Sequence, residues 1–332
     1  MISDLGSHLE IVDATGEPRH AQLSGRLRHT LFARDRPVVG DWVAIAAACA
    51  DEPAVVHRVL PRASLLIRRA AGRADHEQVV AANVDTCLIV TSANHDANPR
   101  RLERFLTAVW DSGAAPVVVV SKIDLVSDGE LAAVLARLAA VAPGVPILPV
   151  SAQLGAGMDA LAAYLQPGRT VALIGTSGVG KSSLVNCWLG TDHQVVLPID
   201  ADERGRHTTT RRELFALPGG GLVIDTPGMR SLGLLATDTG LDDVFADVAE
   251  LAAGCRFRDC QHRGEPGCAI GAAIDAGELD PGRLAGLHKL ARELDVAERR
   301  RDPQAAREQR ARMKVLNRAL RVRTQVDPKR QR

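Results

Sequence analysis

The stretch GTSGVGKSS, Gly175 to Ser183, lies directly after the apolar run of TVALIGTSG and directly before a helix-forming segment that begins at Lys181. It fits the spacing Gly-x-x-x-x-Gly-Lys-Ser. Glycines at these positions let the backbone wrap inward, so that successive N–H groups and the helix N-terminus face phosphate oxygens. Lys181 is then placed to reach the β- and γ-phosphates of a nucleotide, and the Ser182 hydroxyl to ligate Mg²⁺. The expected phosphate site is Gly175, Thr176, Ser177, Gly178, Val179, Gly180, Lys181, Ser182 and Ser183. Lysine occurs only 5 times in the chain against 36 arginines, so a retained Lys is informative.

Similar apolar runs recur on both sides of it: CLIVTSA (Cys87 to Ala93), PVVVVSKID (Pro116 to Asp124), PILPVSA (Pro146 to Ala152) and GLVIDTPG (Gly221 to Gly228). Strands covered on both faces read as near-continuous apolar runs, and the intervening Arg100 to Trp110, Glu130 to Val141 and Lys181 to Leu189 read as helices. This predicts a doubly wound α/β domain over residues 75–235. Before it, residues 1–65 alternate in short segments (His8 to Val12, Val38 to Ala48, Ala54 to Leu60) broken by Gly and Pro, which predicts a small β-barrel. After it come a helical region with a Cys-rich loop, 236–298, and a basic tail, 299–332.

Composition narrows the class. Of 332 residues, 46% are hydrophobic and 24% charged, as in an ordinary globular protein, and only 3% are aromatic, so the core must rest on Ala, Val and Leu. The longest apolar run, Trp42 to Ala50, is about half of a membrane span, so a cytoplasmic protein without a membrane segment is expected. The net charge of +1 hides an asymmetry: residues 299–332 carry 13 Arg/Lys and 3 Asp/Glu. A basic tail on an acidic body points to a polyanionic partner.

Three further loops end apolar strands. In DTPG, Asp225 can hold the hydration shell of Mg²⁺ and the Gly228 N–H can bond a γ-phosphate. In SKID, made of Ser121, Lys122, Ile123 and Asp124, the Asp carboxylate can accept from the N1–H and 2-amino edge of guanine, while adenine would leave it unpaired. Ser151 and Ala152 can add a backbone N–H to guanine O6. Together the four loops define a guanine-nucleotide site for GTP and GDP. Their order is unusual, since SKID and Ser151-Ala152 precede GTSGVGKSS and DTPG, and this resembles the circularly permuted GTPases. In such enzymes the first residue of the base-reading motif is usually Asn; Ser121 is shorter, and the amide's contact to the phosphate loop is expected to be lost or changed.

Between the phosphate loop and DTPG lies GRHTTT, where a switch loop belongs; Thr209, with Thr208 beside it, is the candidate Mg²⁺ ligand. Met229 follows DTPG and cannot orient a water, so intrinsic hydrolysis is expected to be slow. His207 is the nearest substitute.

The spacing Cys255-x4-Cys260-x-His262-x5-Cys268 supplies three thiolates and an imidazole, a closed tetrahedral set for one structural Zn²⁺. A disulfide plus a free thiol is the alternative. Arg256, Arg258 and Arg263 surround this loop, and with the tail they suit contact with an RNA backbone.

The whole combination resembles the ribosome small-subunit-dependent GTPase (RsgA) family. The resemblance implies an OB-fold barrel, a permuted GTPase domain and a helical zinc-binding domain that together grip the small ribosomal subunit and its rRNA late in maturation. It also implies hydrolysis stimulated by that particle and coupled to release; a monomer is expected. A P-loop ATPase or nucleotide kinase, or an RNA-binding scaffold using GTP only as a regulatory ligand, shares part of the pattern.

Overall fold

The computed structural model describes residues 1, 3–4, 9–12, 16–30, 34–46, 53–69, 77–190, 213–225 and 238–301. The N-terminal part contains β1 (Ser3–Asp4), β2 (Leu9–Val12), β3 (Pro18–Leu23), the short helix α1 (Gly25–Thr30), β4 (Val43–Ile45) and β5 (Ala54–Val59). These strands form one sheet in the order β1-β2-β3-β5-β4, antiparallel except for the parallel pair β3–β5. That order is the partly open five-stranded Greek-key barrel of the OB type. Leu9, Ile11, Ala21, Ala54 and Val56 fill it. Along β2, alternate residues Leu9 and Ile11 point inward, as a half-buried strand requires.

Residues 38–41 tie the barrel to the rest of the chain. The Asp41 carboxylate, 1% exposed, accepts from Val38 N at 2.8 Å and from Arg62 Nε and Nη2 at 2.8 and 2.7 Å. Gly40 has φ +90°, and a Cβ there would stand 2.1 Å from the Ala82 carbonyl oxygen, so only glycine allows this approach. Ala82 closes the hairpin β6 (Leu65–Arg69) and β7 (Glu77–Ala82), two antiparallel strands between barrel and main sheet.

The main sheet has six strands. In chain order come β8 (Thr86–Ser92), α2 (Pro99–Ser112), β9 (Ala115–Ser121), a 3₁₀ turn (Ile123–Leu125), α3 (Asp128–Ala139), β10 (Ile147–Pro149), α4 (Met158–Ala162) and β11 (Thr170–Ile174). They continue with α5 (Lys181–Leu189), β12 (Glu213–Ala216) and β13 (Leu222–Asp225). The spatial order is β10-β9-β8-β11-β13-β12. Five strands run parallel, and their apolar runs follow from burial on both faces. Helices lie on both sides, over two cores: one around Ile89, Val118 and Ala172, the other around Leu88, Val119 and Leu173. The sequence did not mark β12, a four-residue edge strand antiparallel to β13.

Local signals set the helix ends. Asn98 caps α2 by accepting from Arg100 N and Arg101 N, Pro99 opens it, and Gly113 closes it at φ +83°. Ser127 and Glu130 form a reciprocal capping box on α3.

The C-terminal part contains α6 (Asp238–Val244), α7 (Ala246–Ala252), α8 (Ala269–Asp275) and α9 (Pro281–Arg301). It shares a core with the sheet domain: Leu241, Val244, Phe245, Val248, Ile270 and Ala273 belong to one cluster with Leu102, Phe105, Leu106 and Val109 of α2. A buried ionic network crosses the same contact. Arg283, 3% exposed, pairs with Glu103 at 3.1 Å and Asp247 at 2.8 Å, and it donates to the carbonyls of Val244 and Val141. Its guanidinium also lies 4.4 Å from the Phe245 ring centroid, and Glu103 is further held by Arg100. Removing one member of a buried ionic network leaves the others desolvated and unpaired. Arg283→Ala is therefore expected to lower unfolding free energy by about 3 kcal/mol in a urea titration. A loss below about 1 kcal/mol would mean that Asp247 and the two carbonyls find other donors.

Candidate functional site

The carboxyl ends of β8, β9 and β11 meet at one edge of the sheet, where open α/β folds bind ligands. Gly175 follows β11 at φ +146°, and a Cβ there would lie 2.2 Å from the Val90 carbonyl oxygen of β8. The loop can start only with glycine, because the neighbouring strand is already against it. Gly178 and Gly180 are left-handed as well, at φ +82° and +96°, and Gly180 is the N-cap of α5. The chain from Gly175 to Gly180 thus curls over the helix N-terminus, with Val179 buried and Ser177, Ser182 and Ser183 exposed.

Lys181 is 9% exposed and folds back over this loop, donating to the carbonyls of Gly175 at 2.9 Å and Thr176 at 2.7 Å. Burial lowers its pKa, and the carboxylates of Asp225 and Asp96 oppose that shift. The Nζ group thus rests on the carbonyls of the loop that it is to leave for phosphate. Asp225 ends β13, the strand beside β11.

The base-reading candidates sit next to the loop. Ser121 Oγ, in a side chain buried to 3% exposure, is 2.5 Å from the Val179 carbonyl oxygen and 3.0 Å from that of Thr91. The shorter hydroxyl therefore keeps a contact between β9 and the phosphate loop. Lys122 adopts φ +58° and donates through Nζ to the Gly178 carbonyl at 2.6 Å. Ile123 and Asp124 lie in the 3₁₀ turn, where Asp124 Oδ1 accepts from the fully buried Ser151 Oγ at 2.5 Å. Ser151 also receives the Leu154 N–H, while the Ala152 carbonyl accepts from the Cys187 thiol of α5 at 3.3 Å. Three loops far apart in sequence are stitched together by these bonds, with the end of β8 and with α5.

His207, Thr208, Thr209, Gly228 and Met229 lie outside the described residues. Asp96, in the loop between β8 and α2, is near enough to act on the charge of Lys181, and the sequence motifs do not single it out, although its place just beyond a strand's carboxyl end is an available signal. Its carboxylate pairs with Arg101, and the Thr91 hydroxyl reaches it at 3.5 Å.

A second constellation lies in the C-terminal part. One ligand atom each from Cys255, Cys260, His262 and Cys268 falls within 4.8 Å of the others, so this group can hold a metal ion. His262 Nδ1 is 3.6 Å from Cys255 Sγ and 3.5 Å from Cys268 Sγ, in a residue held at φ +56°. Ala269 N and Gly271 N donate to the sulfurs of Cys255 and Cys268, and Cys268 is the N-cap of α8. Desolvation disfavours ionising Cys255, but N–H donors from Ala269 and Ile270 and the neighbouring thiols outweigh it and lower its pKa. Cys87, by contrast, has its pKa pushed up by burial and lies apart from this group. All five described cysteines are thiols rather than disulfides. Beside the group, Arg256 lies over the half-exposed Phe257 ring. Burial lowers the His288 pKa, and the charges of Arg263, His262 and Arg292 add to that effect. Arg263 and Arg292 thus bring positive charge from the loop and from α9 to one place.

Phosphate loop, base-reading turn and strand order together define a circularly permuted P-loop GTPase. Comparison with known proteins makes this specific. The model of the RsgA GTPase family matches residues 59–235. The small ribosomal subunit biogenesis GTPase RsgA of Opitutus terrae is 47% identical over 96% of this chain and 89% of its own length. Among solved structures, YjeQ from Thermotoga maritima superposes with a TM-score of 0.63 at 28% identity, covering 88% of this chain and 96% of its own. YloQ, described as a circularly permuted GTPase, gives 0.62 at 26% identity, covering 91% and 95%. The chain belongs to the RsgA GTPase family and is a GTP-hydrolysing enzyme.

Proposed function

We propose that this GTPase acts in maturation of the small ribosomal subunit, hydrolysing GTP when it meets that particle and leaving it afterwards. The observation that carries the reading is the pair of bonds from Ser121 and Lys122 to the carbonyls of Val179 and Gly178, because they make base site and phosphate site one cleft. The relatives' name, small ribosomal subunit biogenesis GTPase, supports the particle. Measuring phosphate release with and without purified small subunits tests it: at least a tenfold stimulation is expected, on the order of what ordering a catalytic loop contributes. Equal rates would reduce the chain to a GTPase without this trigger.

In this reading Lys181 leaves the loop carbonyls for the β- and γ-phosphate oxygens, and the N–H groups from Gly175 to Ser183 surround the phosphates. Ser182 and Asp225 would hold Mg²⁺, as the GTPase family implies. That ion, when bound with GTP, neutralises charge on the phosphate oxygens. Thr208 or Thr209, His207 and Gly228 would complete the site from the switch segments. Lys122 lies along the purine, Ala152 faces guanine O6, and Ser151 fixes the Asp124 carboxylate toward the N1–H and 2-amino group. Asp124→Asn turns one acceptor oxygen into a donor that meets the donors of guanine. GDP affinity is expected to fall by about 100-fold in a fluorescent-nucleotide titration, with xanthosine diphosphate gaining on it. Unchanged GDP affinity would remove Asp124 from base reading.

Three thiolates and one imidazole make a soft, closed donor set, so we assign the metal as Zn²⁺ held for structure rather than for chemistry. The arginines Arg263 and Arg292 beside it, with Arg256 and Arg258, are the surface offered to rRNA phosphates. The basic residues after Arg299 would extend it. Among the described residues no helix is long and apolar enough to cross a membrane. We read the chain as a cytoplasmic monomer.

A further inference from the structure

The end of β8 lies against the phosphate loop, directly at Val90 and through Ser121 at Thr91. Gly175 abuts the Val90 carbonyl so closely that no Cβ fits, and Ser121 Oγ, within reach of the Thr91 carbonyl at 3.0 Å, also meets the Val179 carbonyl at 2.5 Å. Ala93 N donates to the Ser121 carbonyl at 2.9 Å, which closes the same knot from the other side. Asp96 ends this run. Its side chain is 18% exposed, and one carboxylate oxygen pairs with Arg101 while the other faces the Thr91 hydroxyl. Arg101 belongs to the first turns of α2, which also carries Glu103 and through it Arg283 of α9. The carboxylate therefore links the end of β8, which meets the phosphate loop, to α2.

We propose that Asp96 is a positioning residue for GTP hydrolysis, tying the end of β8, which abuts the phosphate loop, to α2 so that Lys181 is presented to the β- and γ-phosphates. The field at Lys181 agrees with the placement, since Asp96 and Asp225 both attract its ammonium. A partly exposed ion pair such as Asp96–Arg101 contributes at most about 1 kcal/mol to folding. Its loss should therefore spare the fold, and its effect should appear where the loop meets the reacting phosphates.

The test uses the full-length, metal-loaded chain, and it rests on the reading of small-subunit-stimulated GTP turnover. Asp96→Asn is expected to lower stimulated kcat by about five- to twentyfold while GDP affinity stays within about threefold, because the interaction matters most as charge develops on the phosphates. Asp96→Glu, which keeps a carboxylate able to reach Arg101, is expected to recover most of that loss. Asp96→Asn combined with Arg101→Gln should cost little more than Asp96→Asn alone, as expected for two members of one pair. An unchanged kcat in Asp96→Asn overturns the proposal. So does a parallel fall of kcat, GDP affinity and melting temperature in which Asp96→Glu is no better than Asp96→Asn. If the wild-type chain shows no stimulated turnover, the functional reading falls and takes this one with it. An active wild type with an equally active Asp96→Asn removes the positioning role alone.

Discussion

Lys181→Ala is expected to reduce GTP turnover by about 10³-fold, equivalent to about 4 kcal/mol of transition-state stabilisation, read as phosphate release under saturating small subunits. The size follows from the surroundings. The ammonium is desolvated and held by two loop carbonyls, so the charge that it brings to a developing phosphate charge is poorly screened. Lys181→Arg should not restore activity, because a planar guanidinium is too wide for a niche shaped by the Gly175 and Thr176 carbonyls. Metal content and melting temperature should move little, since the lysine holds only its own loop. Turnover within tenfold of wild type would mean that another cation serves the phosphates.

Removing the metal should have the largest effect on stability. Binding free energies of structural zinc in small cysteine–histidine sites are about 10 to 16 kcal/mol, and on the proposed assignment they would act on a loop with Gly264, Pro266 and Gly267 that has little other means of order. Cys268 both caps α8 and supplies a thiol, so losing the ion releases the helix that carries Ile270 and Ala273 into the core shared with α2. Cys260→Ser, or treatment with a strong chelator, is expected to lower the melting temperature by more than about 10 °C and to speed amide exchange in α2 as well as in α8. Faster exchange confined to 255–268 would show that the loop melts alone and that the core does not depend on it.

What the sequence discloses and what it hides divide along physical lines. Gly175 to Ser183 is readable because backbone geometry dictates both its glycines and its lysine; Lys181 to Leu189 is the helix that the sequence predicts. The parallel strands are readable because burial on both faces leaves no polar alternation. The edge strand Glu213–Ala216 is not, since four residues with one mixed face carry too little pattern. At Ser121 the short side chain predicts that the link to the phosphate loop is broken or altered; the structure has a hydroxyl at 2.5 Å from the loop carbonyl, a distance that residue size alone does not reveal. Asp96 is invisible for a similar reason: an aspartate in a loop means nothing until the fold puts Thr91 and Arg101 beside it. Likewise, the charges of Glu103 and Arg283 are 180 positions apart, and only folding makes them partners.

The family match ends at residue 235, an inviting place to cut a gene. The packing on α2 argues against that cut. A polypeptide stopped there would keep Leu102, Phe105, Leu106 and Val109 but lack the residues that cover them, and Glu103 would face water without Arg283. Such an abbreviated product should be recovered mainly in inclusion bodies, whereas expression through the end of α9 yields material that stays in solution. For this enzyme the border of homology and the border of a foldable piece are different places.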